Sequence, residues 1–395
     1  MTGIRAFSHI WTGGVISWCV AAVRYSIPSI TVGVPSTERN PDSYGGDERS
    51  TRGHVLIWAF VPYQVREGRL EGFDFDTVQS KRELAHAFRE LNLAWIWQPV
   101  VAANVDEIIR QVSRETSMVM NLCDGIERDG TPGPCVVRAL ELAGIPFTGA
   151  DSEFYRISTS KLTMKEMMTA AGVPTPSFEA LPESVSGVCA RVGTPLLVKP
   201  DVSAASGGLF LRSKVSHDDA VAALRDELSS TPLPRFCQAG RLFAERFVDG
   251  PEFTVFAMGN WRDPRSVRCL PPAERVFNAS IPDGEKFLSY DRYWGLYREE
   301  TPPPDGRVFY SYEACDPGLA PAIEEISKNA YIAVHGRGYG RVDLRMDRAT
   351  GELFVLEVNA NCGLSEDDQT STGCILKIAG MSLADLLRLI LQDAL

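Results

Sequence analysis

The sequence is short of basic charge: 40 lysines and arginines stand against 51 acids, a formal net charge of −11. No basic run or aromatic-interleaved basic patch relieves this. A nucleic-acid partner is therefore not expected, because phosphate backbones are bound mainly through Lys and Arg. Zinc-site spacing is also missing. The nine cysteines form no CxxC pair and have no histidine at ligand spacing, so they read as reduced thiols of a cytoplasmic protein, mostly small core residues. Cys362 is the only one near a candidate site, and a packing role suits it better than a catalytic one. Long apolar runs are absent too. Ile10–Val23 is too short and too rich in Gly, Ser and Thr to span a membrane, so no membrane partner is expected. Two phosphate-binding signatures fail as well. There is no GxxxxGK[ST], and the glycines of Gly336–Gly340 precede a strand pattern rather than open a helix.

What remains is an ordinary globular composition, 44% hydrophobic and 23% charged, over 395 residues, enough for two or three domains. The stretch from Tyr339 to Gly363 organises it. Val342–Met346 and Leu353–Val358 are strand-like runs around an Asp347–Gly351 turn, a hairpin pattern. Side chains two apart share a face, so Arg341 and Asp343 point one way on the first strand, and Glu357 and Asn359 on the second. If the strands pair, two carboxylates, an amide and a guanidinium meet. Such hard oxygen donors suit Mg²⁺ with substrate phosphates, with Mn²⁺ as an admissible substitute. A surface hairpin with solvated charges is the other reading of this stretch taken alone.

Arg341-Val-Asp343, a turn, then Glu357-Val-Asn359 resembles the catalytic core of ATP-grasp ligases, most closely the D-alanine–D-alanine ligase-like branch. The resemblance implies that Asp343, Glu357 and Asn359 hold magnesium bridging ATP phosphates. It also places Arg341 and Gly363 beside the transition-state oxyanion, with Ser206 joining them in the catalytic set.

Other segments follow in the same order. Ser158–Pro174 is expected to be a helix carrying Lys161 and Lys165; the resemblance sends Lys161 to an ATP phosphate, whereas a solvated helix lysine is the neutral reading. Ser158-x-x-Lys161 also fits the motif of penicillin-binding enzymes, but no SDN or KTG follows. Thr194–Pro200 is a strand delivering Lys199, and the small-residue loop Asp201–Gly208 lets backbone N–H groups approach phosphate. Its Ser206-Gly207-Gly208 is similar to the family's Gly/Ser-rich lid. Leu242–Val255 resembles the strand and turn that hold the nucleotide. There Glu245 is implied to accept from the adenine amino group, the backbone near Arg246 and Val248 to read the base edge, and Glu252 to bind ribose hydroxyls. An ordinary edge strand accounts poorly for two glutamates in register.

The segment 54–150 alternates strands and helices, beginning with His54–Val61 and closing on Ile145-Pro-Phe-Thr-Gly149, which implies a parallel sheet covered on both faces. The expected architecture is α/β (α+β), an ATP-grasp fold behind an N-terminal parallel-sheet domain. Residues 1–53 do not resemble the family. They are expected to be a flexible extension, with extra packed structure as the second reading. Domain 54–150 precedes a small ATP-grasp subdomain and nucleotide hinge at 151–255, then a catalytic subdomain at 256–395. Met381–Ala394 is a C-terminal amphipathic helix with Leu383, Leu386, Leu387 and Ile390 on its apolar face.

Two departures from the pattern stand out. The family's Gly-Gly-x-Ser-x-Glu loop after the first strand is replaced by Pro62-Tyr-Gln-Val65, leaving Glu67 or Glu71 to engage a first substrate. The family's lid lysine falls on Tyr293, leaving Arg292 or Arg298 to supply charge. Beyond Gly363, the acids Glu366-Asp367-Asp368 are expected either to favour a cationic or neutral amine acceptor or to cap the following helix. Together the resemblance implies an ATP-dependent carbon–nitrogen ligase joining a small-molecule carboxylate, an amino acid, to an amine through an acyl phosphate, with a homodimer allowed. A nucleotide-binding regulator or scaffold that has lost ligase activity is the alternative.

Overall fold

The computed structural model describes residues 55–72, 77–113, 117–127, 130–181, 183–230, 237, 241–303 and 308–394. The expectation for residues 1–53 lies outside them.

The first sheet grows from β1 (Leu56–Arg66), with β2 (Arg69–Gly72), α1 (Val78–Glu90), β3 (Trp95–Val100), α2 (Val105–Gln111), β4 (Ser117–Asn121) and α3 (Pro134–Ala143) following. β3 and β4 flank β1 in parallel. Both sheet faces are covered, so β1 and β4 are apolar without alternation, as buried parallel strands require. β1 runs further than expected. Pro62 does not end it, because pairing with β4 ends at Phe60 and with β3 at Pro62, and β2 takes over antiparallel from Tyr63. A missing donor is tolerated at such a hand-over. Glu67, at positive φ, and Gly68 make the two-residue turn of that hairpin.

The second unit holds α4 (Ser152–Thr159), α5 (Lys161–Ala170), β5 (Phe178–Ala180), α6 (Val188–Val192), β6 (Leu196–Pro200), β7 (Lys214–Val215), α7 (Asp218–Ser230) and β8 (Leu242–Arg246). Its antiparallel sheet runs β5-β8-β6-β7. The helix expected over Ser158–Pro174 is two helices. Ser160 is extended (φ −103°, ψ 114°) and its hydroxyl accepts from the Thr163 N–H at 3.2 Å. This is an N-cap, and it makes Lys161 the first helical residue.

The third unit comprises β9 (Glu252–Asn260), β10 (Asp263–Cys269), β11 (Ala273–Phe277), α8 (Tyr290–Tyr293), β12 (Tyr310–Ala314), α9 (Ala320–Ala333), β13 (Arg337–Met346), β14 (Leu353–Ala360), α10 (Ser371–Ala379) and α11 (Leu383–Asp393). The sheet order is β12-β11-β9-β13-β14, with β10 beside β9. β13 lies between β9 and the edge strand β14, and it meets the first sheet's closing turn. Gly338, at φ 74°, lies so close to Gly149 that a Cβ would stand 2.2 Å from the Gly149 carbonyl oxygen. Any side chain there would push the two units apart.

One core joins the first sheet to β9, β13 and β14. A second packs α1 against α10 and α11, with Leu84 and Phe88 meeting Leu383, Leu386, Leu387 and Ile390. All four apolar-face residues of α11 are buried, and Ser382 and Asp385 cap it reciprocally. Leu387 has no exposed surface. Leu387→Ala should therefore cost about 2–5 kcal/mol of stability, read from the shift of a urea unfolding midpoint. A midpoint unchanged within error would detach α11 from the core.

Candidate active site

The hairpin of β13 and β14 places its polar residues as the alternation requires. Asp343 lies directly opposite Glu357, and Arg341 opposite Asn359. β13 also sits against β9, with Asp343 beside Thr254. Arg341 grips Asp343 with two nitrogens, Nε at 2.9 Å from Oδ1 and Nη2 at 2.8 Å from Oδ2. Thr254 donates its hydroxyl to Asp343 Oδ1 at 2.9 Å, and the Asn359 amide donates to Asp343 Oδ2 at 3.0 Å and to Glu357 Oε1 at 3.3 Å. The solvated-hairpin reading does not survive this, since Asp343 is buried.

Two lysines close on the carboxylates from the second unit. Lys161 Nζ stands 3.0 Å from Glu357 Oε2 and donates to the Ser203 carbonyl at 2.9 Å. The helix start is held by Asp201, which accepts from the Leu162 N–H and the Ser160 hydroxyl, each at 2.8 Å. Burial opposes ionisation of Glu357, yet the Lys161 and Lys199 ammoniums outweigh it and hold its carboxyl at about 2. Lys199, near the end of β6, contacts Glu245 Oε1 at 2.6 Å. Glu245 is buried and also ion-pairs with Lys165, itself without exposed surface. Burial works against the charge of Glu245, but the two lysines keep its pKa below the ordinary carboxylate range.

Glu252, expected at the ribose, has two arginine partners in the protein. It is buried between Arg275 of β11 and Arg345 of β13, the latter donating Nε to Oε2 at 2.9 Å. Arg345 also takes the Val248 carbonyl at 2.9 Å. Arg246 turns to Asp347 at 3.0 Å and stacks on Phe354. In the small-residue loop, Ala205 and Ser206 both adopt positive φ, and the Trp294 indole donates to the Ala205 carbonyl at 3.1 Å. Gly207 follows, its N–H turned back to the Ala204 carbonyl at 2.9 Å. The Gly363 carbonyl accepts from the Thr372 hydroxyl at 2.6 Å, and a Cβ at Gly363 would meet nothing within 4 Å.

Several residues are not where the sequence reading sends them. Arg292 is buried and its guanidinium is committed to Glu285 at 2.6 Å and the Thr301 carbonyl at 3.2 Å, so it does not offer a free charge. Arg298 and Glu67 are exposed, and Glu71 faces Arg66 at 3.5 Å. The three acids beyond Gly363 serve the helices. Asp368 pairs with Lys377 at 2.9 Å, Glu366 accepts from the Leu383 N–H at 2.6 Å, and Asp367 accepts from Gln369 at 3.0 Å. The first N–H of α11, a turn N–H and a lysine of α10 hold these acids, while Thr370 caps α10, so the three are removed as an acceptor filter. Burial pushes the Cys362 thiol up to about 12, which fits packing and not nucleophilic attack.

Thr254, Arg275 and Arg345 do not stand out in the sequence, and Lys165 stands there on the expected helix without a role. Arg345 had a signal, continuing the alternation of Arg341 and Asp343. Lys165 lies one helical turn after Lys161. Arg275 and Thr254 had none, because they enter only through strand pairing.

Among the described residues no three His, Cys, Asp or Glu side chains gather as a metal cluster. The donor set at the hairpin is instead two facing carboxylates and an amide. It fits a hard cation, because the two carboxylates are adjacent and each is paired with a cationic side chain, Arg341 or Lys161, that can give way to another positive charge.

Residues 167–392 match the family described as "D-ala D-ala ligase C-terminus". A D-alanine–D-alanine ligase of Desulforudis audaxviator is 28% identical over 294 residues, covering 73% of this chain and 85% of that protein. One from Bordetella avium is 30% identical over 259 residues, covering 65% and 72%. In three dimensions, the D-alanine–D-alanine ligase of Bacillus anthracis complexed with ATP superposes with a TM-score of 0.58 at 17% identity, covering 87% of this chain and 97% of that one. The last is a likeness of fold. No helix among the described residues is long and apolar enough to cross a membrane.

Proposed function

We propose, for a chain that belongs to the D-alanine–D-alanine ligase family, that it is an ATP-dependent ligase joining an amino-acid carboxylate to an amine and releasing ADP and phosphate. The observation that carries the reading is the meeting of Asp343, Glu357 and Asn359 with Lys161 and Lys199 at one end of β13 and β14. ATP is the substrate such a cluster would serve, and the Bacillus anthracis ligase of similar fold is complexed with ATP. Domains at 54–150, 151–255 and 256–395 belong to the same proposal.

In this reading the substrate carboxylate attacks the γ-phosphate, giving an acyl phosphate, and the amine then displaces phosphate. Little covalent work falls to the protein in the first step, and positioning with charge neutralisation carries it. Asp343, Glu357 and Asn359 would hold Mg²⁺, or Mn²⁺ in its place. When bound, the ion neutralises phosphate charge. Lys161 and Lys199 exchange their present carboxylate partners for phosphate oxygens. Arg341, released from Asp343, steadies the oxyanion of the amide-forming step beside the loop at Gly363. Ser206 and Gly207 bring backbone close to phosphate. The indole of Trp294 clasps this loop and limits water, which would hydrolyse an acyl phosphate. Glu245 accepts from the adenine amino group, next to the backbone of Arg246 and Val248.

Incubation with ATP, Mg²⁺ and mixtures of amino acids, with ADP release followed and products read by mass spectrometry, tests the reading. An amide product is expected. Nucleotide binding without any ADP release would instead favour a regulator of the same fold. ATP should also bind at least about tenfold tighter than GTP, because guanine presents a carbonyl where Glu245 needs a donor. Equal calorimetric affinities would remove Glu245 from base reading.

A further inference from the structure

Lys165 takes no part in the steps above, yet it is the most completely buried cation beside them, with no exposed surface. Its ammonium ion-pairs with Glu245 and donates to Thr175 Oγ1 at 3.0 Å and to the Leu356 carbonyl at 3.2 Å. All three of its donors are therefore used. Thr175 in turn donates to the Val355 carbonyl at 2.8 Å. Leu356 is the extra residue of a bulge, since Asp343 pairs with Glu357 and Leu344 with Val355. Lys165 thus joins three elements: α5, the nucleotide strand β8, and the bulge of β14 beside Glu357.

The charges explain what this achieves. Glu245 is 2% exposed, and a buried carboxylate without a counter-charge is strongly unfavourable. Two ammoniums flank it, but they are not equivalent. The Lys199 side chain retains 12% exposure and sits near the end of β6, beside the loop of Ser206 and Gly207. Lys165 is walled in and cannot turn away without giving up its contacts to the Thr175 hydroxyl and the Leu356 carbonyl. When Lys199 leaves for a phosphate, Lys165 still balances Glu245.

We infer that Lys165 is a positioning residue for nucleotide recognition: it holds Glu245 as an oriented, charge-balanced acceptor for the base and so frees Lys199 for phosphate. The inference rests on the ligase reading, in which nucleotide occupies this end of the sheet. Without Lys165, Glu245 must keep Lys199 or take up a proton. In either case phosphate binding or base reading is lost.

The test is calorimetric binding of ATP and of GTP, without Mg²⁺, to the full chain and to Lys165→Met, Glu245→Gln and the double variant. Lys165→Met is expected to weaken ATP by about tenfold or more and to bring the ATP-to-GTP preference close to one. A loss of packing alone would lower the melting temperature and leave that preference intact. Adding Lys165→Met to Glu245→Gln should change ATP affinity by less than about twofold, because the role runs through Glu245. Should the single lysine variant fail to fold, the double variant decides, since it removes the buried charge on both sides. An ATP affinity for the double far below that of Glu245→Gln overturns the inference. So does wild-type ATP preference in Lys165→Met. A wild-type chain that binds neither nucleotide overturns the ligase reading, and this inference with it. Wild-type selection of ATP beside an unchanged Lys165→Met overturns the inference alone.

Discussion

Asp343→Ala should lower ADP release by about three orders of magnitude, the scale on which preorganised charge stabilisation is lost. Glu357→Gln should do nearly as much while altering volume very little. The two carboxylates face each other in the ladder, and each now holds a positive partner, Arg341 for Asp343 and Lys161 for Glu357. A bound cation needs both. Without either, phosphate charge is unbalanced, and the released guanidinium or ammonium has no set position. The measurement is ADP release at saturating ATP across a Mg²⁺ titration, beside a melting curve for each variant. A folded variant within about tenfold of wild type at every Mg²⁺ concentration would take the metal role from that residue.

Glu252→Gln should act first on stability. Its carboxylate lies between Arg275 and Arg345, both buried, and Arg345 is spanned on its other nitrogens by the Val248 and Lys286 carbonyls. Arg345 already feels the strain of this position: burial first, then the Arg275 charge, lowers its pKa to about 9. Neutralising Glu252 leaves two buried guanidiniums without the carboxylate that pairs directly with both. The expected cost is about 3–5 kcal/mol, the range for breaking a buried pair from one side. Urea unfolding of the variant reads it directly. If stability falls by less than about 1 kcal/mol while KM for ATP rises, Glu252 serves the ribose and the arginines are satisfied elsewhere.

Asp343, Glu357 and Glu252 show where sequence reasoning reaches and where it stops. The period of two along Arg341–Asp343 and Glu357–Asn359 was sufficient to put the four side chains on one face. A strand leaves no other choice, and a turn of five residues all but forces the pairing. The order of Lys161, Lys199, Glu245 and the hairpin along the chain likewise points to the family. The apolar run of β1 and the i, i+3, i+4 face of α11 were legible for the same reason, because burial imprints a local period.

Partners were a different matter. That Glu252 belongs to Arg275 depends on β11 lying against β9, and that it belongs to Arg345 depends on β13 lying on the other side. Arg345 is 93 residues from Glu252, and only the register of the sheet makes them neighbours. Glu366, Asp367 and Asp368 looked alike as three acids in a row. The packing of α10 and α11 separated them into three contacts, with Leu383, Gln369 and Lys377. Arg292 stood at the right place in the chain to supply charge, but α8 folds it inward onto Glu285. Alternation and order are properties of a chain segment, so the sequence by itself determined the hairpin and its facing acids. Which buried charge answers which is settled by desolvation across elements distant in sequence, and that only the tertiary structure could decide.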